Sequence, residues 1–321
     1  MHDSPEDKKI VESIKHHYLN ILEREPDDMG LRSYLKQIKD NTINIDDLPK
    51  ILKESKEYLF AVVKEPIDAA GGSLEQKIKN EWDARAKIDP LYSIYTDAKD
   101  AKQFWNSGEH DVRGIIKSDK EFFQILTKGK PKSMKILEIG CGIGRLLIPM
   151  SKIFGEVIGV DVSPEMIRIG KEYTKNISNC KLFENNGRDL SMFSDNSFDF
   201  CYSHFVFQHI PDIETIKNYL LETARILKKD SLFKVLIRNK TNDDDTVIST
   251  WNGIRFSVKT NGLGKVTDVP DFSNLAKEFN FEQIELSGRN PIDTTSLTEP
   301  VDSTLLTGTP GFTWITLKLI Q

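Results

Sequence analysis

The sequence predicts an α/β protein in which helices cover both faces of a mostly parallel sheet, preceded by a small all-α module. Three observations support this fold class. Apolar, strand-like runs alternate with helical stretches from about Lys135 onward, a glycine-rich turn separates the first strand from its helix, and the first 60 residues show helical periodicity alone. Strict alternation is typical of parallel sheets, because a crossover between parallel strands is long enough to form a helix.

Seven strands are expected in the main domain. They are Lys135–Ile139, Val157–Val162, Lys181–Glu184, Phe198–Ser203, Leu232–Arg238, Glu282–Leu286 and Thr313–Ile320. Two stretches, Ile213–Leu227 and Ser273–Phe279, place their apolar residues at helical spacing and predict helices between strands. Residues 240–271 are polar and turn-rich, which predicts a substrate-side insertion with a hairpin at Trp251–Phe256. A second loop, Asn290–Pro310, is expected to close the same mouth.

The N-terminal part divides into three segments. Residues 1–65 predict a module of three short amphipathic helices, and residues 66–80, which include Gly71-Gly72-Ser73, predict a linker. Residues 81–130 carry large aromatic side chains on short helical pieces and predict a helical cap. Residues 131–321 then form the main domain.

Composition argues against several classes of function. The 321 residues carry a net charge of −5, so no nucleic-acid partner is expected. No apolar run reaches membrane-spanning length, and the polar, acidic start of the chain shows no secretory signal. Three scattered cysteines, Cys141, Cys180 and Cys201, predict buried free thiols rather than disulfides or metal ligands. We therefore expect a cytoplasmic protein without a metal.

A glycine-rich turn follows the first predicted strand, in the sequence Gly140-Cys141-Gly142-Ile143-Gly144. Strand, glycine turn and helix together bring backbone N–H groups and a helix N-terminus against a nucleotide-like ligand. The second strand ends in Asp161, about 20 residues past the first glycine, where a carboxylate accepts hydrogen bonds from ribose hydroxyls. These features predict a nucleoside-containing cofactor.

Three cofactor classes compete for this turn. A nicotinamide or flavin site expects Gly-x-Gly-x-x-Gly, whereas the third glycine here comes one residue early, and a phosphate-binding loop needs a Gly-Lys-Ser/Thr that is absent. The third class is S-adenosylmethionine. Five segments resemble, in order, motifs of the class I S-adenosylmethionine-dependent methyltransferases: Leu137–Arg145, Gly159–Ile167, Asn185–Leu190, Phe198–Ile210 and Glu222–Asp230. The resemblance extends back to about Trp82.

This resemblance implies a Rossmann-like, seven-stranded, mostly parallel sheet with its last strand antiparallel, S-adenosyl-L-methionine as cofactor and S-adenosyl-L-homocysteine as product. It also implies roles by position. Cofactor contacts are expected from Gly140, Cys141 and Gly142 at the methionine portion, Asp161 at the ribose, Val162 and Met166 on the adenine, Asn186 and Gly187 at the adenine edge, and Ser203 near the methyl group. Further expected contacts are Glu138, Gly144, Arg145, Arg188 and Arg85.

Two of these arginines keep alternative interpretations. Arg145 either contacts the cofactor or only neutralises Glu138 or Asp161. Arg85 either pairs with the cofactor carboxylate or forms a structural ion pair with Asp83 or Asp89.

The methyl acceptor is expected near the end of the fourth strand. His209 is the candidate base for a hydroxyl acceptor, although it alternatively only anchors its loop, and a carboxylate acceptor needs no base. The expected substrate-lining residues are Trp82, Tyr95, Trp105, His204 and Gln208.

The N-terminal module resembles the domain-of-unknown-function family 4214, through Tyr18–Gly30 and the closing Glu54–Tyr58, with Glu23 in place of the usual glycine. Members of that family are often attached to cell-surface, glycosyltransferase or methyltransferase modules. The resemblance therefore implies a glycan or glycolipid acceptor, or a small molecule, and a protein partner for the module. The alternatives are a non-catalytic S-adenosylmethionine-binding scaffold and a nicotinamide-dependent oxidoreductase.

Overall fold

The structure is a computed structural model that describes residues 5–59, 72–95, 98, 100–117, 123–124, 130–210, 212–238, 246–251, 254–259, 269–288 and 312–320. The chain divides into two compact units. The smaller comprises Met1–Gly71 with Thr246–Lys259, and the larger comprises Gly72–Asp245 with Thr260–Gln321.

The described residues of the smaller unit form three α-helices and a hairpin. The helices are α1 (Pro5–Leu22), α2 (Asp28–Lys39) and α3 (Leu48–Lys53), and the hairpin pairs β6 (Thr246–Trp251) with β7 (Ile254–Lys259). Helix α2 begins where it does because the Asp27 side chain accepts a hydrogen bond from the Gly30 N–H at 2.7 Å. The helices share a core of Ile14, Tyr18, Leu35, Leu48 and Leu52.

Two residues of the segments that resemble family 4214 meet in this unit. The Arg24 guanidinium donates to both carboxylate oxygens of Glu57, at 2.6 and 2.9 Å, and lies over the Tyr18 ring. Such a bidentate pair sets the geometry of both groups. It links the turn after α1 to the closing segment of the module.

The larger unit starts with three helices, which we call the cap helices: α4 (Leu74–Ile88), α5 (Pro90–Ile94) and α6 (Ala101–Lys117). Helix α4 begins inside the stretch predicted as a linker, because Ser73 caps it by accepting from the Gln76 N–H. Asp89 ends α4 and also caps α5, where its side chain accepts from the Tyr92 N–H at 2.9 Å ahead of Pro90.

The described residues of this unit form a seven-stranded sheet. In spatial order the strands are β3 (Cys180–Glu184), β2 (Glu156–Asp161), β1 (Lys135–Ile139), β4 (Phe198–Ser203), β5 (Leu227–Arg238), β9 (Phe312–Leu319) and β8 (Phe281–Gly288). Strand β9 runs antiparallel to both neighbours, while β1 to β5 are parallel. The predicted α/β, Rossmann-like fold class is therefore confirmed, including the reversed last strand.

Helices cover both faces of this sheet: α7 (Leu147–Ile153), α8 (Pro164–Thr174), α9 (Ile213–Ile226) and α10 (Val269–Lys277). Alternate strand residues enter two separate cores. Leu137 and Cys201 pack in one, with α9 and α10, whereas Ile136 and Phe200 pack in the other, with α6 and α7. Burial on both faces explains why these strands read as continuous apolar runs.

Several predicted boundaries move in the structure. Strand β5 begins at Leu227 rather than at residue 232, because α9 ends at Ile226 and the chain enters the sheet at once. Helix α10 begins at Val269, ahead of the predicted Ser273. The predicted loop Asn290–Pro310 lies outside the described residues.

Three further expectations concern composition. All three cysteines are free and buried, and burial raises the pKa of each thiol. None of the described helices is both long and apolar enough to cross a membrane. Within the described ranges, no cluster of three or more His, Cys, Asp or Glu side chains is placed to hold a metal ion.

Candidate cofactor and acceptor site

The glycine turn joins β1 to α7 in a conformation that only glycine adopts easily. Gly140 and Gly142 have φ angles of 76° and 52°. A Cβ on Gly140 would lie 2.1 Å from Val206 Cγ2, and one on Gly142 would lie 2.8 Å from Ile94 Cδ1. Both glycines are therefore required by close approach as well as by backbone conformation.

Asp161 ties this turn to the end of β2. Its Oδ2 accepts from the Gly142 N–H at 2.8 Å and its Oδ1 from the Ser163 N–H at 3.0 Å. Burial raises the pKa of this carboxyl, and the backbone N–H groups oppose that effect. An ionised carboxylate has about four acceptor positions, so Asp161 keeps acceptor capacity for a ribose hydroxyl beside these backbone N–H groups. The turn and Asp161 together fit the nucleoside end of S-adenosylmethionine.

The adenine-edge residues follow β3. Asn186 is exposed, and its Oδ1 accepts from the N–H groups of Arg188 and Asp189 at 2.8 and 3.0 Å, so a bond to adenine would share an oxygen already in use. Gly187 has a φ of 75°, and a Cβ there would lie 3.2 Å from Val162 Cγ1. The structure thus brings Gly187 and Val162 together, and the adenine contacts themselves stay predictions.

Three other residues predicted to contact the cofactor lie in or near the same turn or beneath the cap helices. Met166 is buried with Ala86, Phe104 and Ile143 under the cap helices. Gly144, with a φ of 87°, is part of the same turn and would meet no atom closer than 3.6 Å through a Cβ. Cys141 is buried, which fits a small residue in a tight turn.

Glu138 is a buried carboxyl in the middle of the sheet, two residues before Gly140. It lies opposite Tyr202 on β4, whose hydroxyl donates to Glu138 Oε2 at 3.0 Å. Burial raises the pKa of Glu138 to about 8, although the Tyr202 hydrogen bond and the charge of Arg145 act against this. The side chain therefore lies beneath the turn in a surrounding that favours its neutral form.

Arg145 pairs with neither Glu138 nor Asp161, so that expectation is corrected. Its Nη1 donates to Asp111 Oδ2 at 2.7 Å and to Ser107 Oγ at 2.9 Å, both on α6. The sequence analysis missed Asp111, because nothing local marks one acid of α6 as the partner of a residue 34 positions away. Gly108 permits the approach, since a Cβ there would lie 2.4 Å from the Arg145 carbonyl oxygen.

The same guanidinium organises two predicted substrate residues. Arg145 Nη2 lies 3.1 Å from His204 Nδ1, and its Cζ lies 5.2 Å from the centre of the Tyr95 ring. Because an arginine N–H can only donate, His204 Nδ1 is the acceptor in this contact. His204 is buried and stacks on Trp314 at 5.4 Å between ring centres. His204 is therefore a buried residue that supports the site rather than one that lines it.

The end of β4 leads to the candidate base. Ser203 is buried and its hydroxyl donates to the Ile139 carbonyl at 3.0 Å. Phe205 then adopts a φ of 58°, which turns the chain so that Val206 lies against Gly140. A short 3₁₀ helix, Phe207–His209, follows directly.

His209 lies beside two predicted substrate residues. Its ring meets the Trp82 ring edge-on at 5.3 Å between centres, and its Nε2 lies 3.3 Å from Gln208 Nε2. Gln208 Oε1 is buried and has no hydrogen-bond partner within the part of the chain that the structure describes. The structure thus brings Trp82, Gln208 and His209 together at the end of β4.

The remaining predicted residues lie within the cap. Arg85 is buried and donates through Nε and Nη2 to Glu81 Oε1, at 3.0 and 2.7 Å, so Glu81 replaces the expected Asp83 or Asp89 as its acidic partner. Arg188 donates to Glu75 Oε1 at 2.7 Å. Trp105 packs edge-on against Phe104 and Tyr173.

Comparison with known proteins identifies the central part of the chain. Residues 137–235 match the family model described as a methyltransferase domain. The demethylmenaquinone methyltransferase of Staphylococcus carnosus (strain TM300) is 40% identical over 100 residues, which cover 30% of this chain and 40% of the relative. The ubiquinone biosynthesis O-methyltransferase of Pelagibacter ubique (strain HTCC1062) is 28% identical over 222 residues, covering 67% of this chain and 84% of the relative. The chain thus spans about two fifths of the former relative's length.

Solved structures agree at the level of the fold. Magnesium protoporphyrin IX methyltransferase from Synechocystis PCC 6803, solved with bound S-adenosylmethionine, superposes with a TM-score of 0.51 at 12% identity, covering 78% of this chain and 98% of that chain. The [4+2]-cyclase SpnF gives the same TM-score, identity and coverage. Residues 137–235 therefore match a methyltransferase domain, and the larger unit has the Rossmann-like fold of these two solved structures.

Proposed function

We propose that this protein is an enzyme that transfers the methyl group of S-adenosyl-L-methionine to an acceptor oxygen by direct in-line displacement. The observation that carries the proposal is the Asp161 carboxylate, which closes the glycine turn through Gly142 and keeps acceptor positions for a ribose diol. When bound, the cofactor supplies a methyl group already activated by its sulfonium. The protein then has to align the acceptor with that methyl and exclude water.

His209 is the residue best placed to handle the acceptor proton. It follows the end of β4, and the edge of the Trp82 ring limits the orientation of its imidazole. The Gln208 amide nitrogen lies against His209 Nε2. We propose that an acceptor hydroxyl takes the place of that amide and gives its proton to His209 Nε2. Removing the imidazole is expected to lower kcat for a hydroxyl acceptor and to leave cofactor binding unchanged.

Two acceptor classes are supported by different observations. A sugar hydroxyl or carboxylate on a glycan or glycolipid intermediate is supported by the resemblance of the N-terminal module to family 4214 and by the aromatic side chains of the cap. A quinol-type hydroxyl is supported by the name of the ubiquinone biosynthesis O-methyltransferase. We propose a hydroxyl acceptor on a small molecule or glycan, with no nucleic-acid partner. A protein partner for the helical module and a cytoplasmic location stay predictions.

Calorimetric titration tests the cofactor first. Purified wild type and Asp161→Ala are titrated with S-adenosylmethionine, S-adenosylhomocysteine and, as a control, NAD. Binding of the sulfonium pair that the variant loses, with no binding of NAD, supports the proposal, whereas NAD binding would favour the oxidoreductase alternative. Asn274→Ala, an exposed change on α10, serves as the matched variant and is expected to bind as wild type does.

Turnover has to be measured separately, because the fold is shared with a cyclase. Transfer of labelled methyl is followed on a panel of glycans with free hydroxyls, glycan carboxylates and demethylated quinols. Methylation of one class and not the others identifies the acceptor. Saturable cofactor binding without transfer to any member of the panel would instead favour the non-catalytic scaffold.

A further inference from the structure

Three charged residues stand four positions apart on helix α4: Glu75, Lys79 and Asp83. Residues at this spacing share one face of a helix. Each of the three is bonded to a residue that follows, or ends, one of two neighbouring strands, β2 and β3. The partners are Arg188 for Glu75, Glu184 for Lys79, and Ser163 with Glu165 for Asp83.

The first two contacts are ion pairs at the end of β3. Glu75 Oε1 accepts from Arg188 Nε at 2.7 Å, and this hydrogen bond, together with one from Ser73, lowers the pKa of Glu75 to about 2. Lys79 pairs with Glu184, the last residue of β3. The exposed fractions of the four side chains run from 22% to 56%, so both pairs are open to screening by salt.

The third contact lies at the start of α8, after β2. Asp83 Oδ1 accepts from the Glu165 N–H at 2.9 Å and from the Ser163 hydroxyl at 3.2 Å. A carboxylate is stabilised there by the free N–H groups of the helix N-terminus. Although burial alone would raise it, the pKa of Asp83 is lowered by Lys87 and by the Glu165 N–H. Asp83 thus adds a contact from another helix to the end that Ser163 caps.

These partners flank the residues that are expected to hold adenosine. Ser163 comes two residues after Asp161, Glu184 two residues before Asn186, and Arg188 directly after Gly187. Helix α4 therefore runs along the edge formed by the segments after β2 and β3. It also carries Trp82, whose ring meets His209 at the end of β4.

We propose that α4 is an ion-paired strap over the adenosine end of the cofactor site, in which Glu75, Lys79 and Asp83 are positioning residues that set how fast the cofactor leaves. The proposal rests on the cofactor site of the proposed function. Because Trp82 is on the same helix, lifting the strap to release the product also withdraws the ring beside His209. Cofactor exchange and the acceptor side of the site are thereby coupled through one helix.

The test measures the release rate of S-adenosylhomocysteine from the full-length protein by rapid displacement. Glu75→Lys and Arg188→Glu are each expected to speed release about threefold to tenfold, since each places like charges opposite one another at a partly exposed pair. The double variant restores an ion pair in the opposite sense and is expected to return the rate to within about twofold of wild type. Lys79→Glu and Glu184→Lys form a second pair of exchanges with the same expectation.

Asn80→Glu is the matched control, because Asn80 is exposed on α4 and lies between the positions of the strap. It adds a negative charge to the same helix and is expected to leave the release rate unchanged. Wild type itself supplies a measurement without any substitution: release should accelerate as salt rises from about 0.05 to 0.5 M, and should do so less in Glu75→Gln.

The outcomes separate the two proposals. If wild type binds no S-adenosylhomocysteine, the proposed function and the strap both fail. If wild type binds it and neither the single exchanges nor salt change the release rate, the strap alone is overturned. Faster release in the single variants that the double variants do not reverse would also overturn it, because the effect would then come from local disruption and not from pairing.

Discussion

Two cap helices meet the main domain in different ways. Helix α6 is joined to it by the Arg145–Asp111 pair, whose side chains are only 3% and 12% exposed, whereas α4 is joined by Glu75–Arg188, at 22% and 56%. Breaking a buried pair leaves a charge in a low-dielectric surrounding, while an exposed pair exchanges its partner for water. We therefore expect α6 to belong to the stable scaffold of the site and α4 to be the more weakly held side, where a ligand passes.

The largest difference in stability between the two helices is expected when one partner of the buried pair is removed. Asp111→Ala leaves the Arg145 guanidinium buried without its carboxylate, so we expect a loss of about 3 kcal/mol or more in the free energy of unfolding. Urea denaturation measures it. Glu109→Ala on the same helix, which removes an exposed pair with Lys152, is the control and should cost less than about 1 kcal/mol. Equal losses for both variants would contradict the distinction.

A second prediction concerns the turn that α6 supports. Gly140→Ala combines a left-handed backbone with overlap against Val206, and we expect it to lower the free energy of unfolding by about 2–4 kcal/mol and to abolish S-adenosylhomocysteine binding.

Gly144→Ala is the matched control for the Gly140 variant. It has a similar φ, of 87°, but a Cβ there meets nothing closer than 3.6 Å, so its cost should be the smaller left-handed part alone. Thermal and urea unfolding of the two variants give the difference. A cost for Gly144→Ala as large as that of Gly140→Ala would show that backbone strain, not overlap, accounts for both.

The pH dependence of stability sharpens the description of the scaffold beneath the turn. Burial raises the folded-state pKa of Glu138 to about 8 from its ordinary value of 4.5, so between these values the unfolded chain releases this proton and the folded chain keeps it. Stability from this group is therefore complete below about pH 4.5 and is lost as pH rises toward 8, with a slope of at most about 1.4 kcal/mol per pH unit.

Glu138→Gln, which keeps an oxygen for the Tyr202 hydroxyl, should flatten that slope and make the protein more stable at pH 8. The measurement is urea unfolding at several values between pH 5 and 8. Some slope is expected to remain, because the pKa of Asp161 is raised as well. An unchanged slope in the variant would mean that Glu138 is not the group that titrates.

The smallest effect is expected on the strap. Glu75→Ala removes an exposed ion pair and should change the free energy of unfolding by less than about 1 kcal/mol, while product release becomes measurably faster. Unfolding and release are measured on the same preparation, with Asn80→Ala as the control. A large loss of stability would place α4 in the scaffold alongside α6, and the difference between the two helices would disappear.

Local sequence signals predicted the elements of the larger unit well. The strands appear as apolar runs because both faces of the sheet are buried, and the turn glycines are recognisable because a left-handed backbone and a close approach both require the absence of a side chain. The start of α4 was missed for an equally local reason. Gly71-Gly72-Ser73 has the composition of a linker, yet Ser73 is the residue that caps the helix.

Side-chain partners could not be predicted in the same way. Arg145 was expected either to contact the cofactor or to neutralise Glu138 or Asp161, but it bonds to Asp111, which lies 34 residues earlier on α6. Even within one helix, Arg85 pairs with Glu81 and not with Asp83, because Asp83 accepts hydrogen bonds from Ser163 and Glu165 at the start of another helix. Long charged side chains have many acids within reach, and the packing of the elements selects among them.

The sequence by itself therefore determined the sheet, the glycine turn and Asp161 at the end of its strand, because each depends on backbone conformation and on patterns confined to a few residues. Only the tertiary structure decided which charges are buried. It also decided that His204 packs on Trp314 while His209 lies beside Trp82. In the same way, it decided that Glu75, Lys79 and Asp83 connect one helix to the ends of two strands. Those features depend on distances between segments far apart in the chain, which a linear pattern does not record.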